Sequence, residues 1–127
     1  MKKEVLLAYF PKLTFHRSQQ LLSAFGSYDA AWQASGEALK KAGWDEGLVQ
    51  EFLSWRDKLD EKKIEAGLTT EGINGVAESD AAYPKLLKQI YDPPLTLFVR
   101  GDLTMNAPAL AVVGTRTSSP YGKQVTE

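Results

Sequence analysis

The chain has no cysteine, a single histidine (His16) and two methionines. Without cysteine there is no disulfide framework, no thiol nucleophile and no thiolate metal site. One imidazole does not make a usual ligand set either, so no metal and no cofactor are expected. No apolar run approaches the ~18 residues that a membrane span requires. The run Val5-Leu6-Leu7-Ala8-Tyr9-Phe10 follows two lysines but is cut by Pro11 and Lys12. No small-residue cleavage site follows it, so a signal peptide is not expected. A surplus of one charge is missing as well. Fifteen Lys and Arg face sixteen Asp and Glu, a net charge of −1. Ten basic and ten acidic residues lie up to Ala66, five and six beyond it. A general electrostatic footprint for a polyanion is therefore absent, and any such binding requires a local arrangement of donors. Fixed-period repeats and low-complexity tracts are absent too.

What remains is ordinary globular composition: 127 residues, 43% hydrophobic and 24% charged. That is enough chain for one domain or slightly more, with a real core. Residues 1–66 read as helices. Apolar positions 15, 21, 22 and 25 fall on one face, and Gly26 stops that helix. Ser27 is placed to cap a helix over 28–34, with Asp29 in its first turn. Ser35-Gly36 breaks it, and a short helix over 37–42 closes at Gly43. Asp45 then caps a long helix expected to reach Ala66. Its stripe is Leu48, Phe52, Trp55 and Leu59, and Gly67 ends it.

Beyond Gly67 the helical period is lost. Gly75-Val76-Ala77-Glu78 fits a short strand. Asp80 opens an expected helix at Tyr83-Pro84 running to Ile90, stopped by Asp92-Pro93-Pro94. Leu95-Thr96-Leu97-Phe98-Val99-Arg100 reads as a strand, turned by Gly101-Asp102. Ala109-Leu110-Ala111-Val112-Val113 is a continuous apolar run, as in a strand covered on both faces. Ser119-Pro120 fits a helix start. The expected fold class is α/β overall: an all-helical module over 1–66, then the opening of an α/β module over 67–127. Because an apolar parallel strand needs neighbours, the chain reads as a piece of a longer protein.

The stretch from Gly114 to Gly122 carries the most chemistry. A glycine lets backbone approach a ligand, and unpaired N–H groups before a helix favour an anion. Thr115, Ser118 and Ser119 add hydroxyl donors, and Arg116 adds a planar fork that suits phosphate oxygens. Loops at the carboxyl ends of strands are where open α/β sheets bind ligands. The neutral alternative is that any strand-turn-helix junction uses a glycine and a capping serine. Neither the G-x-G-x-x-G nor the G-x-x-x-x-G-K-[ST] spacing is present. No nucleophile-and-base set accompanies His16, which reads as a surface or capping residue. Trp32, Trp44 and Trp55 fall in helical patterns and read as core. The Gly43-Trp44-Asp45 turn resembles a hairpin turn that could meet a backbone phosphate. The turn Phe10-Pro11-Lys12-Leu13-Thr14 lacks the glycines for it, so a protein-interaction or packing role is expected of this module.

Val113-Gly114-Thr115-Arg116, followed by Ser119-Pro120-Tyr121-Gly122, resembles the pattern V-G-[ST]-R-x-x-S-x-Y-G of the DNA-processing protein A family (DprA, also called Smf). Tyr83-Pro84, Leu87, Ile90, Asp92-Pro93-Pro94, Leu97 and Gly101-Asp102-Leu103 are similar to the lead-in to that family's core. Leu21-Leu22, Phe25-Gly26-Ser27, Leu39 and Gly43 are similar to the small helical domain of many members. The resemblance implies a SAM-like or helix-hairpin-helix module (1–66) before the start of a Rossmann-like DNA-binding domain (67–127). It implies a cytoplasmic, non-catalytic protein that binds single-stranded DNA in natural transformation, protects incoming strands and helps load the RecA recombinase, with the full-length protein a homodimer. By position, the DNA phosphate set is Gly114, Thr115, Arg116, Ser118, Ser119, Tyr121 and Gly122, with Arg116 on the strand backbone. The alternative is a nucleotide-binding or nucleotide-processing enzyme of related Rossmann-like type, in which the same loop holds a nucleotide phosphate.

Overall fold

The computed structural model describes residues 1–103 and 110–126. Its helices are α1 (Lys3–Leu7), α2 (Phe15–Phe25), α3 (Tyr28–Trp32), α4 (Gly36–Lys41), α5 (Glu46–Lys58), α6 (Glu61–Thr70) and α7 (Pro120–Thr126). Strands β1 (Ile73–Ala77) and β2 (Thr96–Arg100) pair antiparallel, with Ala77 opposite Thr96 and Ile73 opposite Arg100. The fold is thus mixed helix and sheet, and no described helix is long and apolar enough to cross a membrane.

Short polar side chains set the helix starts. Thr14, Ser27, Ser35, Asp45 and Asp60 each accept a bond from the backbone N–H three residues on. Each such cap contributes about 1 kcal/mol. Gly26, at φ +74°, closes α2 as expected. Gly43, at φ +100°, closes α4 in a Schellman arrangement: its N–H donates to Lys40, and that of Trp44 donates to Leu39. A Cβ at Gly43 would also lie 2.9 Å from Gln20 Nε2. Gly43→Ala is therefore expected to cost about 1–2 kcal/mol, read as a lower urea midpoint.

Residues 3–7 form a further short helix within the stretch read as helical. Several expectations are corrected. The long helix is two helices. Leu59 turns extended at ψ 126°, and Asp60 caps α6 instead of continuing α5; a short carboxylate competes with the helix for its own backbone. Gly67 lies inside α6, and the chain turns at Gly72, where φ is +61°. The helix expected over 83–90 is only a 3-10 turn, Leu87–Gln89. Leu86 and Ile90 are exposed, so an isolated helix there would have no apolar contacts to hold it. Tyr83 is instead a buried anchor whose hydroxyl donates to the Pro94 carbonyl at 2.6 Å.

The core joins both halves of the sequence. Leu7, Phe10, Leu21, Leu39, Val49 and Phe52 pack with Leu95, which lies just before β2. Trp44 is 3% exposed, and Trp32 and Trp55 are half-buried, all three against Phe52. The tryptophans are core residues, as their spacing indicates. α1 lies so close to β1 that a Cβ on Gly75 would fall 2.8 Å from Val5 Cγ2.

Two ion pairs fasten α1. Lys2 pairs with Asp80 after β1, and Lys3 Nζ sits 3.0 Å from Glu61 on α6. Hydrogen bonds from these lysines hold both carboxyls below the usual carboxylate range. A carboxyl lowered in the folded state adds stability above its unfolded pKa. That stability is lost as pH falls through the folded value. Both pairs are partly solvated, so the contribution is modest and salt-sensitive. Stability is expected to fall on acidification below about pH 4, with a smaller slope in Lys2→Ala and in high salt, followed by circular dichroism.

Candidate nucleic-acid interface

The loop before α7 is built by its own hydroxyls. Thr115 Oγ1 accepts from the Thr117 N–H at 3.0 Å and lies 3.2 Å from the Thr117 carbonyl. Its hydroxyl shapes the loop and is not a free donor, which modifies its expected role. Ser119 Oγ accepts from the Gly122 N–H at 3.1 Å, and the Ser119 carbonyl accepts from Lys123. With Pro120 at the first helical position, Ser119 acts as the cap of α7.

These bonds leave donors free. Among the described residues, the N–H groups of Gly114, Thr115, Arg116, Ser118 and Ser119 have no protein partner. Arg116 is exposed and makes no ion pair among the described residues. Ser118 and Tyr121 are exposed, and Gly122 is half-buried beside Ser119. The seven expected residues thus fall on one short loop and helix start. Two of their hydroxyls are engaged within that loop.

The approach to the loop differs from expectation. Ala109 lies outside the described residues. Leu110, Ala111, Val112 and Val113 form no strand and are exposed, Leu110 at 89% and Val113 at 91%. Apolar content alone does not make a strand; ladder partners do, and among the described residues β1 and β2 pair only with each other.

The Gly43-Trp44-Asp45 turn offers little to a phosphate. Its Gly43 and Trp44 amides donate to α4 carbonyls, and the Asp45 carboxylate takes the Leu48 N–H at 2.9 Å. His16 is exposed on α2, as its position indicates.

A concavity of about 430 Å³ lies where α2 meets the Asp92-Pro93-Pro94 segment and β2. Phe15 and Ser18 of α2 line one side, Thr96 and Phe98 of β2 the other. Asp92-Pro93-Pro94, expected as a helix stop and as part of the family lead-in, also walls this concavity. The period-2 pair Thr96 and Phe98, pointing to one sheet face, was the available signal.

Residues 74–127 match the family model described as DNA recombination-mediator protein A. A curated relative, the DNA processing protein DprA of Bacillus subtilis (strain 168), is 43% identical over 124 residues, taking in 89% of this chain. The chain belongs to the DprA family. It spans 41% of the length of that curated relative. The matched segment contains the whole Gly114–Gly122 loop, all of β2 and all of β1 but Ile73. No solved structure matches the chain.

Proposed function

We propose that this chain serves a protein that binds single-stranded DNA in natural transformation and recombination, with the Gly114–Gly122 loop holding a backbone phosphate. The observation that carries this reading is the loop's set of amides and its Arg116, unpartnered among the described residues, inside the segment matched to the family. Arg116 forks onto phosphate oxygens, the amides of Gly114 and Ser118 donate beside it, and the Thr115 hydroxyl holds the bend open. No step is catalytic; binding is electrostatic and hydrogen-bonded.

The rest of the reading follows the family. Residues 1–66 form a SAM-like module with a packing or protein-contact role, and residues 67–127 open a Rossmann-like DNA-binding domain. The full-length protein is a cytoplasmic homodimer that protects incoming strands and helps load RecA. In that domain the apolar residues 110–113 become a covered strand.

With a net charge of −1 and one short donor loop, the 127-residue chain alone is expected to bind DNA weakly. Submicromolar affinity at physiological salt would assign much of the binding to the helical module instead. The rival reading is a nucleotide-handling enzyme. Competition separates the two: free mononucleotides should displace oligothymidine poorly from the full-length protein. Displacement at comparable affinity would favour the enzyme.

A further inference from the structure

We propose that the pocket between α2 and β2 receives one amino-bearing nucleobase (cytosine, adenine or guanine), recognised by Asp92 and Thr96. This rests on the reading of the protein as a single-strand binder, and assigns a base-reading role to a place outside the phosphate loop.

Thr96 is 6% exposed, lines the pocket, and its Oγ1 has no hydrogen-bond partner among the described residues. A buried hydroxyl left unpaired is rare in native proteins and marks a place for a further polar group. Thr96 and Phe98 lie two apart on β2 and share a sheet face. Tyr9 fixes Phe98 by an edge contact, with ring centroids 5.3 Å apart at 69°. Phe15, across the pocket on α2, adds a second aromatic surface. Unstacked bases of single strands are commonly received on such rings.

Asp92 sets the ligand class. It lines the pocket and makes no ion pair among the described residues. A carboxylate repels phosphate, so the pocket takes the base and not the strand backbone. It accepts from an exocyclic amine, as acidic side chains do from cytosine N4. Thymine offers only one N–H, between two carbonyl oxygens that the carboxylate repels. The Thr96 hydroxyl, closed to solvent in the unbound structure, then turns about χ1 to supply a donor to a ring nitrogen or carbonyl beside the amine. At about 430 Å³ the pocket falls within the usual range for small ligands, ~300–1,000 Å³.

The test is an amide-shift titration of the whole chain with each of the four deoxynucleosides, for wild type, Asp92→Asn and Thr96→Val. Both variants keep side-chain volume, and their melting curves check the fold. Deoxycytidine, deoxyadenosine or deoxyguanosine should give saturable shifts at Ser18, Thr96 and Phe98, with thymidine the weakest ligand. Each variant should weaken the binding roughly five- to tenfold. No shifts there, equal shifts with thymidine, or shifts indifferent to both variants overturn the proposal. An oligothymidine strand and Arg116→Ala test the phosphate loop separately. If strand binding needs Arg116 but no nucleoside enters the pocket, the base site fails and the loop stands. If nucleosides bind and strand binding ignores Arg116, the loop reading fails and the pocket stands.

Discussion

Phe52→Ala is expected to lower stability by about 3–5 kcal/mol. Phe52 is fully buried at the centre of an aromatic cluster. Its ring lies 5.3 Å from Phe10, 5.3 Å from Trp44, 5.8 Å from Trp55 and 6.3 Å from Trp32. The Arg56 guanidinium sits 5.7 Å over its face and donates to the Trp32 and Ala34 carbonyls. Truncation removes contacts to four rings that cannot all collapse inward. Domains of this size hold only ~5–15 kcal/mol of stability, so the variant should be near its unfolding midpoint in water. Urea titration followed by tryptophan emission measures it. A loss under about 1 kcal/mol would mean that the cluster repacks around the gap.

The second large effect concerns affinity and spares the fold. Arg116→Ala in a full-length protein carrying this loop is expected to weaken single-strand binding tenfold or more at fixed salt. A charge-assisted bond contributes about 1.5–3 kcal/mol. Because Arg116 is exposed and unpaired among the described residues, the melting temperature should stay within a degree or two of wild type, the usual outcome for an exposed substitution. The salt slope should also fall by about one phosphate contact. Unchanged affinity would remove Arg116 from the interface. A large drop in melting temperature would make it a structural residue.

The parts of this molecule that were legible in the sequence are those fixed by neighbours in the chain. The bounds of α2 follow from Thr14, a four-residue apolar face and Gly26, and the structure places them at Phe15 and Phe25. Ser27 and Asp45 cap where they were expected to, because capping is a three-residue event. Strand β2 followed from its β-branched and aromatic content. The failures come from partners distant in sequence. The apolar stripe continued through Leu59, so it hid the break that Asp60 imposes. The Tyr83–Ile90 segment had helical spacing but no core to cover it, and Tyr83 instead reaches Pro94. The apolar run before Gly114 had strand content, yet residues 110–113 have no ladder partner among the described residues. For the pocket at Thr96 the sequence carries only the shared face of Thr96 and Phe98, because α2 and β2 meet there only in three dimensions.

The candidate loop was legible as a set of residues but not as a set of roles. Residue chemistry and the family resemblance point to Gly114, Arg116 and Ser119, with a capping serine as the neutral alternative that Ser119 fulfils; they do not show that Thr115 turns its hydroxyl onto Thr117. The surviving donors are backbone amides, the Ser118 and Tyr121 hydroxyls and one guanidinium, a set that suits a phosphate.

The most direct measurement is an amide-shift titration of the isotopically labelled chain with oligothymidine at low salt, where weak phosphate contacts are strongest. Shifts are predicted at Gly114, Thr115, Arg116, Ser118 and Ser119, fading as salt is raised and absent in Arg116→Ala. Shifts centred on the Gly43 turn or the N-terminus of α2, with the loop amides silent, would contradict the account.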